Sequence, residues 1–534
     1  QNAYSRAGSN MPLAFIDSFK PHLKANSVSS IMRIFLCLIF LATHSLPKEL
    51  DYCFANEEEP YLYFGSKTPY RIARPRETSH GSIPNCKPVQ IWMLARHGTR
   101  YPQKGAVQRM EELPEIRDRI IRSHEEYGRG RLCHEDLKKL KEWSPHDQMT
   151  LEYASKLAPE GWREGNELGK RLRNAYPDLI SAAKNVNSKN YTFRSIRGAR
   201  SESSMIALME GLFEDKDAVE PVPTPRSDAL LRGDQNCRRW AEEKKGTYEE
   251  RDGFIDGREY HQLQQNVSRR IGFDVSPETI HNMQDICRFE TAWSRDELSP
   301  WCAVFSKDEW KILEYIDDLQ YYYASGYGLQ INSLIGCFPL QDLFSHFRDL
   351  EDPRMKTPKG VFYLSTSRIL MDFLHTIDIA KDSERLLANN FRYMANRKWR
   401  VSLISPFFSN FVAVFHRCEH SEVSNKVTFY LNDELVMYEG CEEGICDWDY
   451  LKKKLGGRAV QCSENCRKRE INTKRNNKTS SEYRFFLHIF LLIIFQLVLA
   501  AAFHRRIMDS LQRITRFISW KFGFRKLMQN NIKS

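Results

Sequence analysis

Residues 89–95, Val-Gln-Ile-Trp-Met-Leu-Ala, run without a break into Arg96-His97-Gly98-Thr99-Arg100-Tyr101-Pro102. A short, bulky apolar run stopped by glycine and proline reads as a buried strand. The charged heptapeptide then sits at that strand's C-terminal end, where α/β sheets place their active sites. Phosphate chemistry explains its composition. Two arginines supply planar, permanently charged donors for phosphate oxygens, His97 between them offers a neutral imidazole as nucleophile, and Gly98 lets backbone approach the anion. The plain alternative is a charged loop after a strand. A chance match to R-H-G-x-R-x-P in a chain this long is on the order of one in ten thousand at average residue usage.

Helical patterns surround that strand. Pro159-Glu160 opens a helix on which Trp162, Gly165, Gly169, Leu172 and Tyr176 share one face, the small residues permitting close packing. Ser306-x-x-Glu309 is a capping box for another, whose Ile312, Ile316, Leu319 and Tyr323 face inward and which Gly326 ends. Helices alternating with apolar strands indicate α/β. At 534 residues and 41% hydrophobic, the chain buries a full core in two or three domain-sized units, which excludes disordered and collagen-like classes.

The heptapeptide resembles the histidine phosphatase superfamily in its acid phosphatase and phytase branch. Further segments resemble one family within it, the multiple inositol polyphosphate phosphatases. They are Tyr61-Leu-Tyr-Phe-Gly-Ser-Lys-Thr-Pro-Tyr-Arg71, Glu160-Gly-Trp, Leu168-Gly-Lys-Arg-Leu172, Ser299-Pro-Trp-Cys-Ala-Val-Phe305, Tyr322-Tyr-Ala-Ser-Gly-Tyr-Gly328 and Ile404-Ser-Pro-Phe407. The likeness covers residues 51–462, and it implies a mostly parallel sheet between helices with an α-helical cap from the middle of the chain. It also implies a third phosphate ligand. The family pattern F-R-x-T-D-x-x-R-[ST] is met by Phe193-Arg194-Ser195-Ile196-Arg197-Gly198-Ala199-Arg200-Ser201, with Ile196-Arg197 in place of Thr-Asp, so Arg200 joins Arg96 and Arg100 around His97. Without the resemblance, Arg200 reads as an exposed helix arginine, and Arg194 and Arg197 as a solvated face.

One part of the pattern is broken. The family supplies the leaving-group proton from a His-Ala-Glu motif at a helix start, and here Thr366-Ser367-Arg368 stands there. Losing general acid help costs about 10²- to 10⁴-fold, and a guanidinium gives up no proton near neutrality. Arg368 favours retention of phosphate over turnover. Thr366, or Ser365, also reads simply as a helix cap, and Asp372, roughly 6 Å further along the axis, as a badly placed substitute donor. Two readings follow: a phosphomonoesterase of reduced activity, acting on inositol hexakisphosphate, lower inositol phosphates or 2,3-bisphosphoglycerate, or a pseudophosphatase that binds phosphorylated ligands or a surface partner. No cofactor or metal is expected of either. Cys441-x4-Cys446 and Cys462-x3-Cys466 lack zinc-finger spacing and any H-x3-H partner.

The remaining expectations concern compartment. Met32-Arg33, the apolar residues 34–42 and Thr43-His44-Ser45 have the order of a signal peptide at 32–45, with residues 1–31 set aside as a doubtful leader. Outside that signal twelve cysteines remain, an even number that in an oxidising compartment allows up to six disulfides. Asn190, Asn266 and Asn477 begin glycosylation sequons. Residues 485–503 are apolar apart from His488 and Gln496, which suits a transmembrane helix better than a core helix. They follow a basic stalk, 463–484, and precede a basic cytoplasmic tail, 504–534, which either lies on the inner leaflet or is unstructured. A lipid-anchor signal fits less well, because 31 residues follow the span. The topology expected is single-pass, in the plasma membrane or endoplasmic reticulum, with the catalytic domain lumenal or extracellular. The formal charge of +10 follows this division: eight Lys/Arg against Asp509 lie beyond residue 503, and seven Lys/Arg against Glu470 and Glu482 lie in 467–484. What remains for the core of the chain is mildly acidic, so no nucleic-acid partner is expected, and anion recognition falls to a few arginines around His97.

Overall fold

A computed structural model describes residues 53–56, 63–75, 82–180, 186–295, 297–352, 354–419, 424–467 and 473–530. The expected leader and signal peptide lie outside the described residues. The chain divides into two compact units, one running to Cys462 and the other from Ser463 onward.

A seven-stranded sheet forms the first unit's centre, in the order β2-β3-β1-β4-β5-β6 with β7 also on β5. The strands are β1 (Cys86–Arg96), β2 (Tyr191–Ser195), β3 (Gly360–Ser365), β4 (Asn410–Cys418), β5 (Lys426–Leu431), β6 (Glu434–Leu435) and β7 (Ile445–Asp447). The last seven residues of β1 are buried, as the apolar run requires. Parallel pairing is confined to β1–β3 and β2–β3. From β4 onward all pairings are antiparallel, which makes the sheet mixed. Connection length explains the division: long helical insertions separate β1, β2 and β3 and permit crossovers, whereas the short links after β4 permit only hairpins. Asn432 and Asp433, both at positive φ, form the two-residue turn between β5 and β6.

Ten helices concern the site: α1 (Lys104–Met110), α2 (Leu113–Glu125), α3 (His134–Glu142), α4 (Pro159–Ala175), α5 (Ala199–Phe213), α6 (Arg258–Ile271), α7 (Pro277–Trp293), α8 (Lys307–Ser325), α9 (Ser333–Asp349) and α10 (Ser367–Thr376). The first eight, α1 to α8, share two apolar cores. In one, α4 and α5 cover a sheet face through Leu168, Leu172, Leu208 and Leu212 against Ile91, Met93, Phe193 and Phe362. Gly169 makes this possible, since a Cβ there would lie 2.5 Å from the Leu208 carbonyl and 2.6 Å from the Leu212 nitrogen. The other core joins α6, α7 and α8 to α1, α2 and α3 through Leu263, Met283, Trp310, Ile120 and Leu140. The helical cap thus takes in residues next to the heptapeptide as well as the middle of the chain. Both halves of the Ser306–Glu309 capping box are present at the start of α8.

The twelve cysteines outside the expected signal are all disulfide-bonded. Cys86–Cys418 staples β1 to β4, and Cys53–Cys133, Cys287–Cys302, Cys337–Cys462 and Cys441–Cys446 are further pairs. In the second unit helix α11 spans Thr473–Asn530. Its Leu487–Arg516 portion, with mean hydropathy 2.3 at its apolar peak, is long and apolar enough to cross a membrane. From Thr473 onward the stalk, the expected span and the tail therefore run in one helix, which reaches Asn530.

Candidate active site

Strand register brings the sequence-flagged segments together. Arg96 on β1 lies level with Ser365 on β3, and Ser195 on β2 lies level with Leu364. The three segments that follow, 97–102, 196–200 and 366–368, therefore leave the same edge of the sheet. Arg200 sits in the first turn of α5 and Arg368 in that of α10.

His97 is buried, and its Nδ1 lies 2.9 Å from the Gly98 carbonyl oxygen. A carbonyl only accepts, so Nδ1 carries the proton and Nε2 keeps its lone pair. Burial first, and then the charges of Arg96, Arg100 and Arg200, push the imidazole pKa well below 6.5. The ring is thus a neutral nitrogen base inside a cationic ring of groups. Gly98 has a role beyond anion access: a Cβ there would lie 2.7 Å from the Gly161 carbonyl and 2.8 Å from the Phe408 ring, so the loop can settle onto α4 only with glycine at this point.

The arginines are held but not saturated. One Arg96 terminal nitrogen donates to the carbonyls of Ser66 (2.6 Å) and Ser405 (2.8 Å), and its guanidinium lies 4.7 Å from the Phe407 ring centre. Arg100 donates to the Tyr101 carbonyl at 2.8 Å and lies 5.6 Å from the Phe289 ring centre. The Nε atoms of Arg96, Arg100 and Arg200 are buried without a partner. Burial lowers the Arg96 pKa to about 10, and burial with the charges of Arg96 and Arg200 lowers that of Arg100 to about 9. Burial and Arg232 act on Arg200 in the same direction. Buried cations depressed in this way make a pocket that favours an anion.

Glu164, which sequence reasoning did not single out, anchors the loop from α4. Its carboxylate accepts from the Thr99 amide (2.7 Å), the Thr99 hydroxyl (2.9 Å) and the Tyr70 amide (3.2 Å). Burial nonetheless raises its pKa to about 7. Ser204 links the loop to α5, accepting from Gly98 N–H at 3.0 Å and donating to the Arg200 carbonyl at 2.7 Å. The two neighbouring arginines are engaged elsewhere: Arg194 faces Asp228 at 3.4 Å, and exposed Arg197 donates to the Thr224 carbonyl.

At the broken motif, Thr366 caps α10, accepting from Ile369 N–H at 3.5 Å. Arg368 donates from Nε to the Ser325 hydroxyl at 3.4 Å, and its guanidinium lies 5.8 Å from the Trp240 ring centre. Asp372 is buried with neither carboxyl oxygen partnered. Burial raises its pKa well above 3.8, with Arg368 and Lys244 opposing and Asp234 assisting. Lys67, within the quoted Tyr61–Arg71 motif, pairs with Asp285 at 3.5 Å, and Asp285 also binds Arg288. Of the glycosylation asparagines, Asn190 is half-buried just before β2, and Asn266 lies within α6, accepting from Gln262 at 3.0 Å.

Comparison with known proteins gives the geometry a setting. A family model described as histidine phosphatase superfamily (branch 2) matches residues 89–432. Multiple inositol polyphosphate phosphatase 1 of Drosophila melanogaster is 32% identical over 448 residues, which are 80% of this chain and 92% of that protein. The Homo sapiens protein of the same name is 27% identical, over 79% of this chain and 91% of its own length. Among solved structures, the phytase from D. castellii matches with a TM-score of 0.61 at 16% identity, covering 76% of this chain and 88% of that one. A Bifidobacterium longum multiple inositol polyphosphate phosphatase, in complex with inositol hexasulfate, matches with a TM-score of 0.56 at 11% identity, covering 74% and 98%. These two structural likenesses show the fold.

Proposed function

The chain belongs to the multiple inositol polyphosphate phosphatases, in branch 2 of the histidine phosphatase superfamily, and from that membership we propose a membrane-tethered phosphomonoesterase acting on inositol polyphosphates. One observation carries the reading: a neutral, buried His97 surrounded by three arginines whose Nε atoms are buried and unpartnered. His97 Nε2 attacks phosphorus to form a phosphohistidine. Arg96, Arg100 and Arg200 stabilise the equatorial oxygens, and water then cleaves the N–P bond. Inositol hexakisphosphate and its lower forms are the proposed substrates, with 2,3-bisphosphoglycerate as a smaller one.

Turnover on such alkyl esters is proposed to be slow, because Arg368 occupies the donor position. The same residue favours a second reading, a pseudophosphatase that retains its ligand. The test uses the full-length chain in detergent. Aryl phosphate, whose leaving group needs little protonation, is hydrolysed under the first reading, and His97→Ala abolishes that hydrolysis. Absence of aryl phosphate hydrolysis with inositol hexakisphosphate still bound sinks the enzyme reading and leaves the second.

The disulfides and the apolar stretch of α11 support a secretory-pathway protein with its catalytic domain, residues 51–462, on the lumenal or extracellular side. In this reading 32–45 is the signal peptide, 463–484 the stalk, 485–503 the span and 504–534 the cytoplasmic tail, and Asn190 and Asn266 carry glycans.

A further inference from the structure

Helix α8 places Asp317, Tyr321 and Ser325 four residues apart, on one face about 12 Å long. The two ends of this stripe are fixed by contacts. At one end Asp317 accepts from the Ser66 amide at 3.4 Å and pairs with Arg288 at 3.1 Å. At the other, the Ser325 hydroxyl receives Arg368, the residue that stands at the broken donor motif. Tyr321 lies between them. Ser66, whose amide meets Asp317 at the first end of the stripe, also holds Arg96 through its carbonyl at 2.6 Å. Tyr321 is near enough to Arg96 and Arg100 to act on the charge of each.

We infer that the Tyr321 phenol supplies the leaving-group proton for which Thr366-Ser367-Arg368 offers no donor. The inference rests on the phosphatase reading and deepens it at the same site. As His97 Nε2 bonds to phosphorus, the bond from phosphorus to the inositol oxygen breaks. That oxygen takes the Tyr321 proton, leaving a tyrosinate. In the second step water attacks the phosphohistidine and gives a proton to the tyrosinate, which restores both side chains and releases phosphate.

The surroundings suit that cycle. Burial pushes the phenol pKa up, but Lys67 and Arg96 outweigh burial and bring it below 10, with Asp317 opposing them and Ser66 assisting. The charged groups facing it come from every neighbouring element: Lys67 from the N-terminal segment, Arg96 and Arg100 from the loop after β1, Arg288 from α7 and Asp317 from α8 itself. A tyrosinate formed there lies among cations that stabilise it. Asp372 is set differently, because its charged neighbours are Arg368, Asp234 and Lys244.

The experiment compares wild type, Tyr321→Phe and Asp372→Asn as full-length protein on inositol hexakisphosphate and on 4-nitrophenyl phosphate. The inference expects Tyr321→Phe to lose about 10²-fold in kcat/KM on the inositol ester, with a loss at least tenfold smaller on the aryl ester. Equal losses on both esters, no loss on either, or the same split in Asp372→Asn overturns it. A wild type active on the aryl ester alone also overturns it while leaving the phosphatase reading intact, whereas a wild type inactive on both sinks that reading and the inference together. If Tyr321→Phe lowers the melting temperature, 3,5-difluorotyrosine at position 321 keeps the shape. The alkaline limb must then move to lower pH, and an unmoved limb overturns the inference.

Discussion

At the scale of single residues, the site is decided by which charges lie near one imidazole. Burial and three arginines depress the His97 pKa, so the imidazole, the proposed nucleophile, stays neutral as pH falls through 6.5 and is protonated only well below it. The acidic limb of kcat/KM on aryl phosphate is therefore expected well below pH 6.5, and Arg100→Gln, which removes one of those charges, should move it upward. Position 368 gives a second prediction. The pair Thr366→His with Arg368→Glu should raise inositol phosphate hydrolysis at least tenfold if loss of the donor limits turnover. A pair that stays as slow as wild type places the limitation elsewhere. His97, Arg96 and Arg100 were legible because seven consecutive residues carry them, and Arg200 only through the family pattern, since its own surroundings in the sequence read as an exposed helix. Tyr321 and Glu164 were not. Each reaches the site from a helix distant in sequence, and helical period alone does not say which tyrosine of the run 321–323 faces the arginines.

At the scale of elements, the level ends of β1, β2 and β3 bring three separate sequence segments to one edge of the sheet. The capping box, the close approach of α4 to α5 and the buried β1 were all readable from local pattern. The antiparallel half of the sheet was less so, because strand pairing depends on connections that periodicity does not report. Helix α7 carries a further prediction. Glu290 accepts from the Trp143 indole at 2.8 Å and from the Ser299 hydroxyl, and burial raises its pKa from 4.5 to about 7. The folded state then binds this proton more tightly than the unfolded chain does. Its contribution to stability is full below pH 4.5 and is lost as pH rises through about 7. Glu290→Gln can still accept from Trp143 and donate to Ser299, so it removes the titration while keeping both bonds. Denaturant unfolding at pH 8 should show the variant more stable by roughly 2–4 kcal/mol, with little difference at pH 4.

At the scale of the whole molecule, the formal +10 belongs to sequence flanking the apolar stretch of α11 and to the doubtful leader, while the phosphatase domain is mildly acidic. Anion recognition is thus local, and the basic residues of 463–484 and 504–534 are left to serve the membrane boundary. Deleting residues 473–534 should shift the protein from a fraction that resists alkaline carbonate extraction to the soluble one. A truncated protein that still resists extraction would place the tether elsewhere. The division into a disulfide-bonded catalytic unit and a C-terminal helix has meaning only if that unit performs the proposed chemistry. The most direct test is rapid quenching of the full-length protein with labelled phosphomonoester, followed by peptide mapping. An acid-labile, alkali-stable phosphoryl group on the peptide containing His97, absent from His97→Ala, is the predicted result, and phosphate release without any label on that peptide would contradict it.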